Sequence, residues 1–173
     1  MLKTKIAVFV SGGGTNFEAL INAQENGKIP HGEIVLMVSS SKTAYALKRA
    51  ENHGIKSVVC SKKELGSQES FEEEILKNLE ENDIQLIVLA GFMSILSKEF
   101  TKKYENRIIN IHPSLIPSFC GEGFYGLHVH EAALKKGVKV TGATVHIVNE
   151  IPDGGPIIMQ RAVYVEENDT PEI

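Results

Sequence analysis

Short apolar runs alternate along this chain with stretches whose apolar residues recur at helical spacing. Ile6-Ala7-Val8-Phe9-Val10 carries no polar residue, as a strand covered on both faces requires. Ser11–Asn16 follows with three glycines, and Phe17, Leu20 and Ile21 then recur three and four apart up to Asn26-Gly27. That spacing predicts a helix with a glycine stop. Ile34–Val38 reads as a second buried strand, Ala44–His53 as a helix ended by Gly54, and Lys56–Val59 as a short third strand. Phe71, Ile75 and Leu79, four apart, predict an acidic amphipathic helix over Phe71–Asn82. Leu86–Ala90 and Ile108–Ile111 read as the fourth and fifth strands, with a short helix over Leu96–Tyr104 between them. Strands and helices in alternation imply right-handed βαβ units and a parallel sheet.

After residue 112 the pattern changes. Pro113–Leu127 reads as loop and His130–Lys136 as a short helix stopped by Gly137. Thr141–Val148 and Ile157–Val165 read as strands forming an antiparallel pair, joined through Glu150–Pro156. The predicted class is α/β: a Rossmann-like open, mostly parallel sheet with helices on both faces and a C-terminal antiparallel strand pair. Asp169-Thr170-Pro171-Glu172 has the residues of a helix start, a capping Thr, a first-turn Pro and an early acid. The expectation is a single domain over 1–173 that lacks its C-terminal helix.

Composition narrows the partners. With 173 residues, 42% hydrophobic and 23% charged, the chain is in the range of one globular domain with a full core. The formal charge of −4, with no long basic run, argues against nucleic acid or an anionic membrane as the main partner. The apolar stretch after Lys5 meets a Gly-rich turn rather than a signal-peptide cleavage site. No apolar segment approaches membrane-spanning length, and Cys60 and Cys120 form no disulfide framework. A cytoplasmic location is expected.

Three places carry candidate chemistry. Asn110 and His112 stand at i and i+2 of a strand and so point to one face, at the strand end where open α/β sheets bind ligands. An amide and an imidazole aimed at one point suit acyl transfer, one stabilising an oxyanion and the other moving protons; a structural histidine capping the strand is the plain alternative. Ser11–Asn16 follows a buried strand and opens a helix, so backbone N–H groups and the helix's positive end meet there, with Thr15 and Asn16 adding donors. The loop has neither the P-loop lysine nor the GxGxxG spacing, and fits a monophosphate; a tight turn using glycine for geometry alone explains the same residues. Asp153, followed by Gly154-Gly155, could orient His112 and raise its basicity, or be an ordinary turn aspartate. Gly91–Leu96 could line a pocket for a flat heterocycle or pack in the core. His128 and His130 could share a strand face. Without a Cys or carboxylate at ligand spacing no metal is expected. The role of His146 stays open, with a satisfied core histidine as the default.

Taken together, Ser11-Gly-Gly-Gly-Thr-Asn16, Leu89-Ala-Gly-Phe-Met93, Asn110-Ile-His-Pro-Ser-Leu115, Gly142-Ala-Thr-Val-His146 and Asp153-Gly-Gly-Pro156 resemble the phosphoribosylglycinamide formyltransferase family of folate-dependent enzymes, in order and over essentially the whole chain. The resemblance implies transfer of a formyl group from 10-formyltetrahydrofolate, as co-substrate and without a metal, to the amine of 5'-phosphoribosylglycinamide in purine synthesis. It implies a catalytic trio of Asn110, His112 and Asp153, and a substrate-phosphate loop at Gly14, Thr15 and Asn16. Folate contacts are implied at Gln68, Met93, Ser94, Ile95, Leu96, Asn110, Asn149, Glu150, Ile151, Pro152 and Asp153. Partners would be these small molecules, with the chain a monomer or homodimer.

Two departures stand out. Family members often have arginines near the folate tail where Gln68 and Ser94 stand here, which implies either weaker tail binding or the use of other groups such as Lys62 or Lys63. Cys120–Tyr125 is an insertion placed to act as lid or rim. The nearest rival reading is formyltetrahydrofolate hydrolase, whose added N-terminal domain finds no room ahead of the first strand. A non-catalytic nucleotide-binding domain would share the Gly loop. Methionyl-tRNA formyltransferase would need a tRNA-binding extension and a basic surface.

Overall fold

A computed structural model describes residues 2–172; of the domain expected over 1–173, Met1 and Ile173 lie outside the described residues. The fold divides into two compact units, one ending at Ile108 and the other starting at Ile109.

The first unit holds four parallel strands, β1 (Thr4–Val10), β2 (Gly32–Ser39), β3 (Lys56–Val59) and β4 (Leu86–Leu89), in the order β3-β2-β1-β4. Its helices are α1 (Thr15–Glu25), α2 (Ala46–Asn52), α3 (Lys62–Leu65), α4 (Gln68–Glu81) and α5 (Lys98–Lys103). Alternation along β1 divides its side chains between two covered faces. Ile6, Val8 and Val10 pack with Phe17 and Ile21 of α1 and with Ala46 and Ala50 of α2. On the opposite face Phe9 meets the edge of Phe92 at 5.1 Å, and Phe92 stacks on Phe71 of α4 at 6.5 Å. The stripe Phe71, Ile75 and Leu79 is fully buried, as its spacing predicts. A register break after Ile6 lets β2 carry one extra residue, so Ile34 and Met37 fall on the same face.

The second unit takes in β5 (Ile108–His112) from Ile109 onward, α6 (Leu127–Lys136), β6 (Val140–Ile147) and β7 (Ile157–Tyr164). β6 is antiparallel to both β5 and β7. The architecture is thus the expected one: parallel strands with helices on both faces, then a C-terminal antiparallel pair.

The structure corrects three readings. His128 and His130 lie in α6, not on a strand, and successive helical positions turn by about 100°, so the two rings diverge. The start of α6 escaped because Gly126 ends an irregular segment just before it, although Val129 and Ala133 already stand four apart and are buried. Lys62–Leu65 forms a short helix where none was predicted. Among the described residues no helix starts at 169–172: residues 167–168 and 171–172 form turns, with the Glu166 amide donating to Asp169 Oδ2 at 2.8 Å.

Candidate active site

β5 positions two of the expected residues and β6 answers them. His112 ends β5, and Asn110 stands two residues earlier on the same face. In the antiparallel register Asn110 lies directly opposite His146, and Asn110 Nδ2 is 3.2 Å from His146 Nε2. The other ring nitrogen of His146, Nδ1, donates to the Ile147 carbonyl at 2.9 Å.

Asp153 joins the two imidazoles. One carboxylate oxygen is 3.5 Å from His112 Nδ1 and the other 3.5 Å from His146 Nε2. The residue sits at φ 53°, in the left-handed region that Asp enters more readily than most residues. The Gly121 amide donates to Asp153 Oδ2 at 2.9 Å. His112 and His146 are only 4% and 2% exposed, so these contacts act with little solvent screening. Burial pushes the Asp153 carboxyl up, but His146, the Gly121 N–H and His112 together hold it below its ordinary range. Burial works against the charged form of His146 as well. Asp153 and the Ile147 carbonyl outweigh it and raise the imidazole above its ordinary value.

The loop that follows β5 supplies backbone, not side chains, to this cluster. His112 Nε2 donates to the Phe119 carbonyl at 2.8 Å, and Gly121 holds Asp153. Both contacts were invisible in the sequence, since any residue can offer a carbonyl or an amide. The sequence does not assign His146 a role, because its partner depends on strand register. Beyond the cluster, Asn149 Oδ1 accepts the Ile151 amide at 3.0 Å and Ile151 is 59% exposed, on a surface turn that Glu150 and Pro152 share.

Gly155 has a definite structural reason. A Cβ there would lie 1.8 Å from the Ile147 carbonyl oxygen, the same oxygen that holds His146. Gly155→Ala therefore forces β6 and the following turn apart. A stability loss of about 1–3 kcal/mol, the usual cost of overpacking, is expected as a lower urea midpoint; an unchanged midpoint would show that the strand yields freely.

In the first unit, Gly14 caps α1 in the left-handed conformation, φ 73°, and a Cβ there would lie 2.8 Å from Ala46 Cβ. Thr15 and Asn16 are exposed at the helix start. Residues 10–16 with Ala90, Gly91 and Met93 line a hollow of about 420 Å3. Ser11 Oγ ties this loop to its surroundings, accepting the Met93 amide at 2.8 Å and bonding Ser40 Oγ at 2.6 Å. Between residues 93 and 96, Met93 and Ile95 are 54% and 76% exposed, so core packing does not explain them. Gln68 does not reach outward. Its amide donates to the Ile95 carbonyl at 3.0 Å and to Glu72 at 2.6 Å, while Glu72 also accepts the Ser97 amide at 2.6 Å. Ser94 and Leu96 are half-buried beside this brace, and Lys62 and Lys63 are exposed on α3.

A larger hollow, about 710 Å3 between α6, β7 and residues 165–172, contains none of the expected site residues. Among the described residues no group of His, Cys, Asp and Glu is arranged to hold a metal ion, and no helix is long and apolar enough to cross a membrane.

The sequence matches the formyl transferase family model over residues 4–173. It is 48% identical to the trifunctional purine biosynthetic protein adenosine-3 of Gallus gallus, over 98% of this chain but 16% of that protein. The chain thus spans far less than two thirds of that relative. It is 39% identical to the phosphoribosylglycinamide formyltransferase of Bacillus subtilis, over 97% of this chain and 83% of that one. The crystal structure of phosphoribosylglycinamide formyltransferase from Bacillus halodurans superposes with a TM-score of 0.89 at 41% identity, over 98% of this chain and 84% of the other. The chain belongs to the formyl transferase family, whose phosphoribosylglycinamide formyltransferases it matches along nearly its whole length.

Proposed function

We propose that this protein transfers a formyl group from 10-formyltetrahydrofolate to the primary amine of 5'-phosphoribosylglycinamide, a step of purine synthesis, and that residues 1–173 act as one formyltransferase domain. The observation that carries this reading is a single carboxylate, Asp153, set between two buried imidazoles with Asn110 opposite one of them. Both substrates are small soluble molecules, and the cytoplasm is the compartment that fits them.

The amine adds to the formyl carbon, and the carbonyl oxygen takes the negative charge. Asn110 donates an amide N–H to that oxygen, a contribution of about 2.7–4 kcal/mol for a well-placed donor. His146 Nε2 lies 3.2 Å from Asn110 Nδ2 and, when the ring is neutral, accepts the other Asn110 N–H. His112, oriented by Asp153 through Nδ1, stabilises the charge and delivers a proton to N10 as the carbon–nitrogen bond breaks. The incoming nitrogen gives up its extra proton, which replaces the one that His112 delivers to N10, as the carbonyl re-forms. Handing on the proton requires His112 Nε2 to leave the Phe119 carbonyl. Gly14, Thr15 and Asn16 receive the substrate phosphate. For the folate, the first unit offers Met93, Ser94, Ile95 and Leu96, with Gln68 as their brace; the second offers Asn149, Glu150, Ile151, Pro152 and Asp153.

The hydrolase reading keeps the same trio but uses water in place of the amine. Incubating the protein with 10-formyltetrahydrofolate, with and without phosphoribosylglycinamide, separates the two. Release of tetrahydrofolate only when the amine is present is the expected result. Formate released at an equal rate without it would replace the transferase by a hydrolase.

A further inference from the structure

Helix α2 contacts the glycine loop at two successive carbonyls. The Ala46 amide donates to the Gly12 carbonyl at 3.2 Å, and Arg49 Nε donates to the Gly13 carbonyl at 2.9 Å. In a trans peptide the carbonyl of one residue and the N–H of the next point in opposite directions. Turning the Gly12 and Gly13 carbonyls toward α2 therefore turns the Gly13 and Gly14 N–H groups away from it. Among the described residues neither N–H meets a protein acceptor. Both belong to the stretch that lines the 420 Å3 hollow.

On the phosphate reading of this loop, we propose that Arg49 is a positioning residue for the phosphate seat, holding the Gly13–Gly14 peptide so that its N–H faces the anion. Its charge is already engaged. Arg49 NH1 donates to Glu18 Oε2 at 3.0 Å, and His53 Nε2 bonds the other Glu18 oxygen at 3.0 Å. Tyr45 lies under the guanidinium at 5.1 Å. An arginine so paired adds little net positive potential to the hollow, and works through the loop rather than as a bare cation. The two-ended contact needs a fork: Nε on the loop and NH1 on α1. A lysine has one ammonium on a flexible stem and cannot reproduce both ends at once. The shape of the seat thus depends on a residue 35 positions further on (49 − 14) that need not touch the ligand.

The test titrates ribose 5-phosphate into the full chain and follows the backbone amide resonances of Gly13 and Gly14 by NMR. In the wild type both shift. Arg49→Gln is expected to weaken binding about tenfold or more, the worth of a charge-assisted hydrogen bond, and to abolish the Gly14 shift. In turnover it raises KM for phosphoribosylglycinamide and leaves kcat at saturation within about threefold, the pattern of lost ground-state binding. Glu18→Gln removes the ion pair but keeps Nε on Gly13, so its affinity stays within about threefold. Equal losses in Arg49→Gln and Glu18→Gln would overturn the proposal, because the network would then be stabilising the two helices and not the loop. Arg49→Lys serves if the glutamine variant does not fold, and wild-type affinity in Arg49→Lys would equally overturn it. Asn16→Ala distinguishes the two levels of inference. If it leaves ribose 5-phosphate binding unchanged, the loop is not the seat and the phosphate reading itself fails. If Asn16→Ala weakens binding and Arg49→Gln does not, only the role of Arg49 fails.

Discussion

His112→Ala is expected to lower kcat by about 10²–10⁴-fold, the usual contribution of a positioned acid–base group, with KM for both substrates within a few-fold of wild type. The reason is that proton delivery and charge stabilisation are needed only once the amine has added, so the loss falls on the transition state and not on binding. A steric cost has to be separated from this, since the ring is 4% exposed and bonded to both Asp153 and the Phe119 carbonyl. His112→Asn keeps a polar group near the same volume without an acid–base centre. If both variants remain folded by circular dichroism and both lose turnover, the chemistry belongs to the imidazole. Near-normal kcat in either folded variant would remove His112 from the catalytic role.

How far the residues themselves announced this arrangement differs from place to place. The unbroken run Ile6–Val10 specifies a doubly covered strand, and β1 is one, because apolar side chains on both faces leave no solvent-facing alternative. The register break after Ile6 had no signature, because an extra residue in an all-apolar strand changes nothing in its pattern. Asn110 and His112 share a face by strand periodicity alone. His146 does not announce itself, since only the pairing of β5 with β6 brings it opposite Asn110. Asp153 was suggested by its place before two glycines. That Gly155 makes room for the chain's own Ile147 carbonyl follows only from three-dimensional packing. Phe119 and Gly121 act through main-chain atoms, and no reading of side-chain types can find such contacts. Gln68 shows the converse. The resemblance implies a folate contact at Gln68, and its side-chain type does not announce that its amide braces Ile95 and Glu72.

Asp153→Asn is expected to damage both turnover and stability, with different pH signatures, because one carboxylate serves two imidazoles. In turnover, the neutral amide no longer fixes His112 through a charged acceptor, and kcat falls by about 10²–10⁴-fold. In stability, the two titrating partners contribute over different ranges. The native carboxyl of Asp153 lies below its ordinary 3.8, so its contribution is present above that value and is lost as pH falls through the lowered native one. His146 lies above its ordinary 6.5, so its contribution is full below 6.5 and is lost as pH rises through the raised native value. Both are in place together between 3.8 and 6.5. The wild type's advantage over Asp153→Asn in urea midpoint should therefore be largest near about pH 5 and smaller near about pH 9. The group is partly screened, being 13% exposed at the side chain, so the sign of this pH trend is the decisive reading rather than its size. At alkaline pH, His146 that has lost its proton accepts from Asn110 instead of donating to Asp153, and the carboxylate keeps only His112 and the Gly121 amide. An advantage that grows from pH 5 to pH 9 would mean that Asp153 and His146 do not form a coupled pair, and would leave His112 as the only imidazole that the carboxylate serves.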